Sequence, residues 1–306
     1  MNKYDIDKEL NILKPLKFSK YTHARRFIAN MVFKISMFFT KPKKGIRERR
    51  FIFRGYNHQK VKLSLYELKE QTGKAPGLLY IHGGGFQIQG TPVHERLIAN
   101  IMQETKQKTV YVNYRLAPKY PFPTALEDCY HGLLWMVEHA DFLGIDTNDI
   151  SVAGDSAGGN LATAVALLAR DRKGPKIHRQ MLLYPVIDME QKTPSMLEYD
   201  DVPMWNSKLN KSMWEVYLKN GDFGMLHYAS PSFADLKGLP DTYIETAEYD
   251  CLRDEGKAYA KRLKAEGIRV VEHHTKHTVH GYDAVFYSML VKNLTKERIR
   301  FLGGKI

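Results

Sequence analysis

Residues 149–171 read DISVAGDSAGGNLATAVALLARD, and the five residues Gly154-Asp155-Ser156-Ala157-Gly158 at their centre constrain the fold more than any other stretch. A short apolar run ends at Gly154, and a helical pattern begins directly after Ser156. A chain that passes from strand to helix within one residue must turn sharply, which holds the serine in strained geometry with its hydroxyl exposed. Glycine two positions before and after lets neighbouring backbone come close. The helix that follows aims its first amides and its positive dipole end back at the turn. A capping serine at a glycine-rich helix start is the plain alternative. The apolar strand before it and the helix after it favour Ser156 as a nucleophile.

The rest of the chain shows where such a turn would sit. FIFRGYN (51–57) and VKLSLYEL (61–68) alternate apolar and polar residues as paired strands do. GLLYIHG (77–83), KTVYVNYR (108–115), RQMLLYP (179–185), DTYIETA (241–247) and IRVVEHH (268–274) predict further strands. Helices are expected over 96–105, 124–140, 156–171, 252–267 and 282–294. Strands alternating with helices imply a mostly parallel sheet covered on both faces, and 306 residues with 43% hydrophobic content can bury its core. Two pieces break the alternation: residues 1–46, which look helical, and 191–226, where a helix over 208–220 is inserted between strands. Together they predict a helical cap on a core made of 47–190 and 227–306.

Three consecutive glycines follow His82 at the end of one apolar run. Attack of a serine on an acyl carbonyl places negative charge on the oxygen, and backbone N–H groups free of side chains can meet it. The amides of Gly84, Gly85 and Ala157 are the expected oxyanion donors, with His82 bracing their loop. A phosphate loop is the weaker reading, because the glycines lack G-x-G-x-x-G spacing and no Lys-Ser/Thr pair follows them in the loop. A serine nucleophile needs a base and an orienting acid. Asp250 or Asp254 could supply the acid. His273, His274, His277 and His280 crowd the region of the base, although adjacent strand residues such as His273 and His274 point to opposite faces and make a shared metal unfavourable.

HGGGF at 82–86, YRLAPKYPFPTALED at 114–128, GDSAGGN at 154–160, 229–256 and HGY at 280–282 occur in this order, and together they resemble the hormone-sensitive-lipase-like, GDSAG-type carboxylesterases. The resemblance implies an α/β-hydrolase fold: an eight-stranded, mostly parallel sheet flanked by helices, with a helical cap. It implies Asp250 as the acid and His280 as the base beside Ser156, serine esterase chemistry on a small-molecule ester of short to medium acyl chain, and no metal or organic cofactor. Rival readings are a membrane-surface lipase, a deacetylase of acetylated sugars, and a binding protein that kept the pocket and lost the chemistry; the last would be expected to lack one of the three side chains. The chain departs from the family pattern at Lys119, usually acidic, at Cys251, usually proline, and at Tyr282, usually phenylalanine. Phe86, Trp205, Trp214 and Tyr217 are the aromatic candidates for substrate contact, with packing inside the cap as the alternative for each.

The net charge of +12 is uneven: residues 1–54 hold 15 Lys and Arg against 4 Asp and Glu. Within them, 24–44 is apolar with basic flanks. The apolar stretch 27–40 would make about 21 Å of helix, too short to span a bilayer. It reads either as a cap helix with its broad apolar face buried on the catalytic body or as an interfacial helix drawn to anionic lipid. No nucleic-acid motif accompanies the charge, so nucleic acid is not an expected partner; a homodimer is left open. Two cysteines, Cys129 and Cys251, form no disulfide framework, and with no secretory signal pattern a cytoplasmic location is expected.

Overall fold

The computed structural model describes residues 3–20, 22–40 and 42–306; Lys41, within the basic arm, lies outside the described residues. A 3-10 turn at Lys8–Leu13 precedes helix α1 (His23–Phe39). Strands β1 (Ile46–Arg54), β2 (Lys60–Leu68) and β3 (Ala75–Ile81) follow, then α2 (Pro92–Thr105), β4 (Lys108–Asn113), α3 (Thr124–Glu138) and the single turn α4 (Ala140–Leu143). Next come β5 (Ile145–Asp155), α5 (Ala157–Asp171), β6 (Arg179–Leu183), α6 (Pro194–Glu198), α7 (Ser207–Tyr217) and α8 (Leu226–Ala229). The chain closes with β7 (Asp241–Tyr249), α9 (Arg253–Ala265), β8 (Val270–Val279) and α10 (Met289–Leu302).

The eight strands form one sheet in the order β1-β2-β4-β3-β5-β6-β7-β8. β1 and β2 are antiparallel, as is the β2–β4 pair, and every pairing from β4 to β8 is parallel. The central strands carry continuous apolar side chains because helices flank the sheet; Leu78, Leu79, Tyr80, Ile81, Val152 and Ala153 are fully buried. α5 is buried from Ala157 to Ala169, and its small residues let it lie close on β5 and β6. α2 packs on α10, and α3 on α5.

The boundary furthest from expectation is that of the last helix. The last helix does not begin at Tyr282. Tyr282–Ala284 is a single 3-10 turn, entered through Gly281 at φ +64°, and α10 starts at Met289, where the Ser288 hydroxyl accepts the Val291 N–H. The local cap overrides an apolar periodicity that runs straight through it.

The N-terminal segment and the 194–217 helices touch. Met204 N–H donates to Leu16 O (2.7 Å), Asn206 Nδ2 donates to Phe18 O (2.8 Å), and the Tyr4 hydroxyl donates to Asp201. The segment is fastened to the core as well, by Asp7 N–H to His277 O (2.9 Å) and by buried Ile6, Leu10 and Leu13.

Candidate active site

Ser156 sits between β5 and α5 with φ +57° and ψ −122°, a region that a residue with a side chain rarely occupies. Such strain costs on the order of 1–3 kcal/mol and persists only where the surroundings impose it. Here the two flanking glycines show the cause. A Cβ on Gly154 would lie 2.2 Å from Gly158 O, and one on Gly158 would lie 2.1 Å from Ile81 O. The turn is thus wedged between its own helix and the end of β3. Its amides are tied down too: Ser156 N–H donates to Leu183 O (2.8 Å), and Ser156 O accepts from Val186 N–H (3.1 Å).

The ends of β5, β7 and β8 bring three distant side chains together. His280 Nε2 lies 2.8 Å from Ser156 Oγ, and His280 Nδ1 lies 2.7 Å from Asp250 Oδ2. Asp250 is fully buried, and its other oxygen accepts the Leu252 N–H at 3.0 Å. A carboxylate so placed accepts the hydrogen bond of Nδ1–H and leaves Nε2 to accept from the serine hydroxyl. Asp254 points elsewhere, pairing with Arg253 (2.7 Å) and accepting Ser195 N–H (2.9 Å). Of the other histidines, His274 reaches Thr246 Oγ1, and His277 reaches Asp5.

Gly84 and Gly85 line the same cleft as Ser156 and His280. Among the described residues, the amides of Gly84, Gly85 and Ala157 donate to no protein acceptor, as amides reserved for an incoming oxygen would. Both glycines have positive φ (+110° and +58°), and added side chains would collide with Ile88 O at 2.4 Å and the Trp205 ring at 2.8 Å. His82 braces the loop as expected from its place in the chain. Its ring stacks on Tyr114 (4.3 Å, 14°), and its Nδ1–H donates to Gly83 O at 2.7 Å. Burial, reinforced by nearby His94, pulls the His82 pKa down to about 4, so the ring is neutral near pH 7.

The cleft holds about 480 Å³ and is walled mostly by apolar side chains, among them Val32, Phe33, Ile88, Met204 and Trp205. Trp205 leans its ring over His280 at 5.9 Å. The other aromatic candidates need correction. Phe86 and Tyr217 stack face to face (3.7 Å, 4°), Trp214 packs against both, and all three are buried away from the cleft. They anchor α7 to the loop after the glycines. The i, i+3 spacing of Trp214 and Tyr217 marks a helix face and says nothing of what that face covers.

Several residues of the site carry no motif. His94, on α2, extends Nε2 to within 3.3 Å of Asp155 Oδ2, while Tyr80 Oη and Gly83 N–H also donate to that carboxylate (2.9 and 3.1 Å). Burial works to raise the Asp155 pKa, but His94 and Tyr80 outweigh it and hold the carboxyl below its usual range. Behind His280, the fully buried Arg298 of α10 bridges Glu245 (2.6 Å) and Asp283 (2.9 Å) and donates to the Tyr282 hydroxyl (2.9 Å). Tyr184 closes this network by donating to Asp283 (2.7 Å) while presenting its edge to the His280 ring (4.7 Å). The hydroxyl that distinguishes Tyr282 from phenylalanine is therefore in use. Cys251, in place of proline, leaves the acid loop held by hydrogen bonds instead: Ser195 Oγ donates to Cys251 O at 2.9 Å. Lys119 lies over the Tyr120 ring at 5.2 Å.

An eight-stranded sheet that presents a strained serine, an imidazole and a buried carboxylate from its strand ends defines an α/β-hydrolase. Comparison with known proteins agrees and narrows the class. The family model of the alpha/beta hydrolase fold matches residues 78–284. Esterase LipI of Mycobacterium tuberculosis is 38% identical over 234 residues, which cover 75% of this chain and 72% of that protein. Carboxylesterase NlhH of the same species is 38% identical over 211 residues, covering 68% of this chain and 66% of that one. Among solved structures, a bacterial heroin esterase superposes with a TM-score of 0.89 at 33% identity, covering 98% of each chain. The chain belongs to the hormone-sensitive-lipase-like carboxylesterases of the α/β-hydrolase superfamily, and it is a carboxylic ester hydrolase.

Proposed function

We propose that this carboxylesterase works through an acyl-enzyme on Ser156 and acts on short- to medium-chain esters. His280 takes the Ser156 proton as Oγ attacks the carbonyl carbon, and Asp250 holds the imidazole tautomer and stabilises the imidazolium that forms. The tetrahedral oxyanion lies against the amides of Gly84, Gly85 and Ala157. Collapse expels the alcohol, which leaves with the proton from His280; water activated by the same base then releases the acid. The observation that carries this reading is the unbroken proton chain of 2.7 and 2.8 Å from Asp250 through His280 to Ser156. The cleft volume of about 480 Å³ with its apolar wall favours modest acyl chains. Residues 1–46 and 191–226 act as the cap, supported by their mutual hydrogen bonds, and Trp205 is the substrate-contacting aromatic of the four named. Among the described residues no helix is long and apolar enough to cross a membrane. A cytoplasmic location is consistent with two buried free cysteines, and any membrane contact is peripheral, through 24–44. Rates on p-nitrophenyl acetate, butyrate, octanoate and palmitate test the reading: turnover that peaks at butyrate or octanoate and vanishes in Ser156→Ala supports it, and a palmitate optimum or an active Ser156→Ala overturns it.

A further inference from the structure

Helix α1 turns Asn30 toward the protein and most of its large apolar side chains toward solvent. Asn30 faces inward and clamps the segment after the glycine loop: its Nδ2 donates to Gln87 O (3.0 Å), its Oδ1 accepts Gln89 N–H (2.8 Å), and its backbone O accepts Gln89 Nε2 (2.6 Å). Ser36 and Phe33 turn toward the cleft. Outward stand Phe27, Ile28, Met31, Ile35, Phe38 and Phe39, the last two 78% and 75% exposed, and no residue of the helix is fully buried. A cap helix that only sealed the core would be the other way round. Contiguous exposed apolar surface of this kind marks a contact site.

The charge around the helix selects the occupant. From residue 10 to residue 47 the chain holds ten Lys and Arg and no Asp or Glu. Two copies meeting through this face would bring two such segments together, which repel. An anionic lipid surface offers the opposite charge and an apolar layer at the depth that an in-plane amphipathic helix reaches. We infer that α1 is an interfacial anchor that seats the enzyme peripherally on anionic lipid membranes. Val32, Phe33 and Ser36 of the same helix border the cleft of Ser156 and His280, so the seated enzyme has its mouth beside the lipid. That second consequence rests on the esterase reading; the docking itself does not.

The test uses the full chain with vesicles of phosphatidylcholine containing 30% phosphatidylglycerol, and with phosphatidylcholine alone. Expected is co-sedimentation with the anionic vesicles at 20 mM NaCl, at least tenfold weaker on phosphatidylcholine alone or at 500 mM NaCl. Phe38→Ser with Phe39→Ser should lower the partition at least tenfold, and Lys34→Gln about fivefold, while hydrolysis of soluble p-nitrophenyl butyrate stays unchanged in both. Ser156→Ala should sediment like the parent, which separates docking from chemistry. In the active enzyme, p-nitrophenyl octanoate dissolved in anionic vesicles should be hydrolysed several-fold faster than in neutral ones, and the double Phe variant should lose that gain. No sedimentation at low salt, sedimentation indifferent to the Phe variant, or a dimer in sedimentation velocity that the Phe variant abolishes would each overturn the inference.

Discussion

The strand ends around Ser156 and the outer face of α1 solve opposite problems. At the catalytic centre the protein buries charge: Asp250, Glu245 and Arg298 are fully enclosed, and each finds partners within hydrogen-bond range. At α1 it exposes apolar rings that have no such enclosure. Burying a charge and exposing a phenylalanine both run against the usual partition of side chains. The first departure is matched by an internal partner. The second has its match outside the molecule. The catalytic body should therefore respond to substitution through rate and stability, and the arm through what it touches.

The largest effect is expected at the nucleophile. Ser156→Ala should lower kcat for p-nitrophenyl butyrate by about a millionfold with an unchanged melting temperature; a smaller loss with retained acyl-enzyme would move the chemistry to another residue. Asp250→Asn should follow at about ten-thousandfold, since the amide favours the wrong imidazole tautomer, as steady-state kinetics will show. Arg298→Met leaves Glu245 and Asp283 buried without their cation and should destabilise the fold by about 3–5 kcal/mol in urea titration. An unfolding free energy equal to wild type would mean the network is ornamental.

His82 gives the next. Its pKa falls from 6.5 unfolded to about 4 folded, so in that window the unfolded chain binds the extra proton and folding loses stability as pH drops. This one group accounts for about 3 kcal/mol between pH 7 and pH 4. The stability difference between wild type and His82→Gln should narrow by roughly that amount on acidification, in denaturant melts at the two pH values. The smallest effect belongs to the arm. Phe39→Ala should change stability by less than about 0.5 kcal/mol and leave soluble-ester turnover intact, because the ring is 75% exposed. A cost of several kcal/mol would show that α1 is core after all and erase the contrast.

The legible parts of the molecule are those where chemistry and backbone geometry coincide. The glycines around Ser156 and after His82 are needed both for close approach and for exposed amides, so their spacing survives in one dimension. Strand-helix alternation is similarly local. The resemblance of ordered blocks singled out Asp250 and His280 from neighbours that spacing alone could not separate. Arg298 and Tyr184 left no trace, since a buried ion network depends on residues that are far apart in the chain, such as Glu245 and Arg298, 53 positions away. His94 had a faint signal in the Thr-Pro-x-His helix start, where its ring accepts the Thr91 N–H, but nothing there pointed to Asp155.

What the chain determined alone was the order of its elements, the strained serine turn and the basic, apolar character of its arm, because each is set by neighbours within one strand or one helix. Only tertiary structure decided that Trp205 walls the cleft while Phe86, Trp214 and Tyr217 anchor α7, and that α1 turns Asn30 inward and Phe27, Phe38 and Phe39 out. Periodicity reveals that a helix has two faces; which one meets the core depends on the surface it lands on, and here the backbone of Gln87 and Gln89 offers an acceptor and a donor that the Asn30 side chain satisfies together.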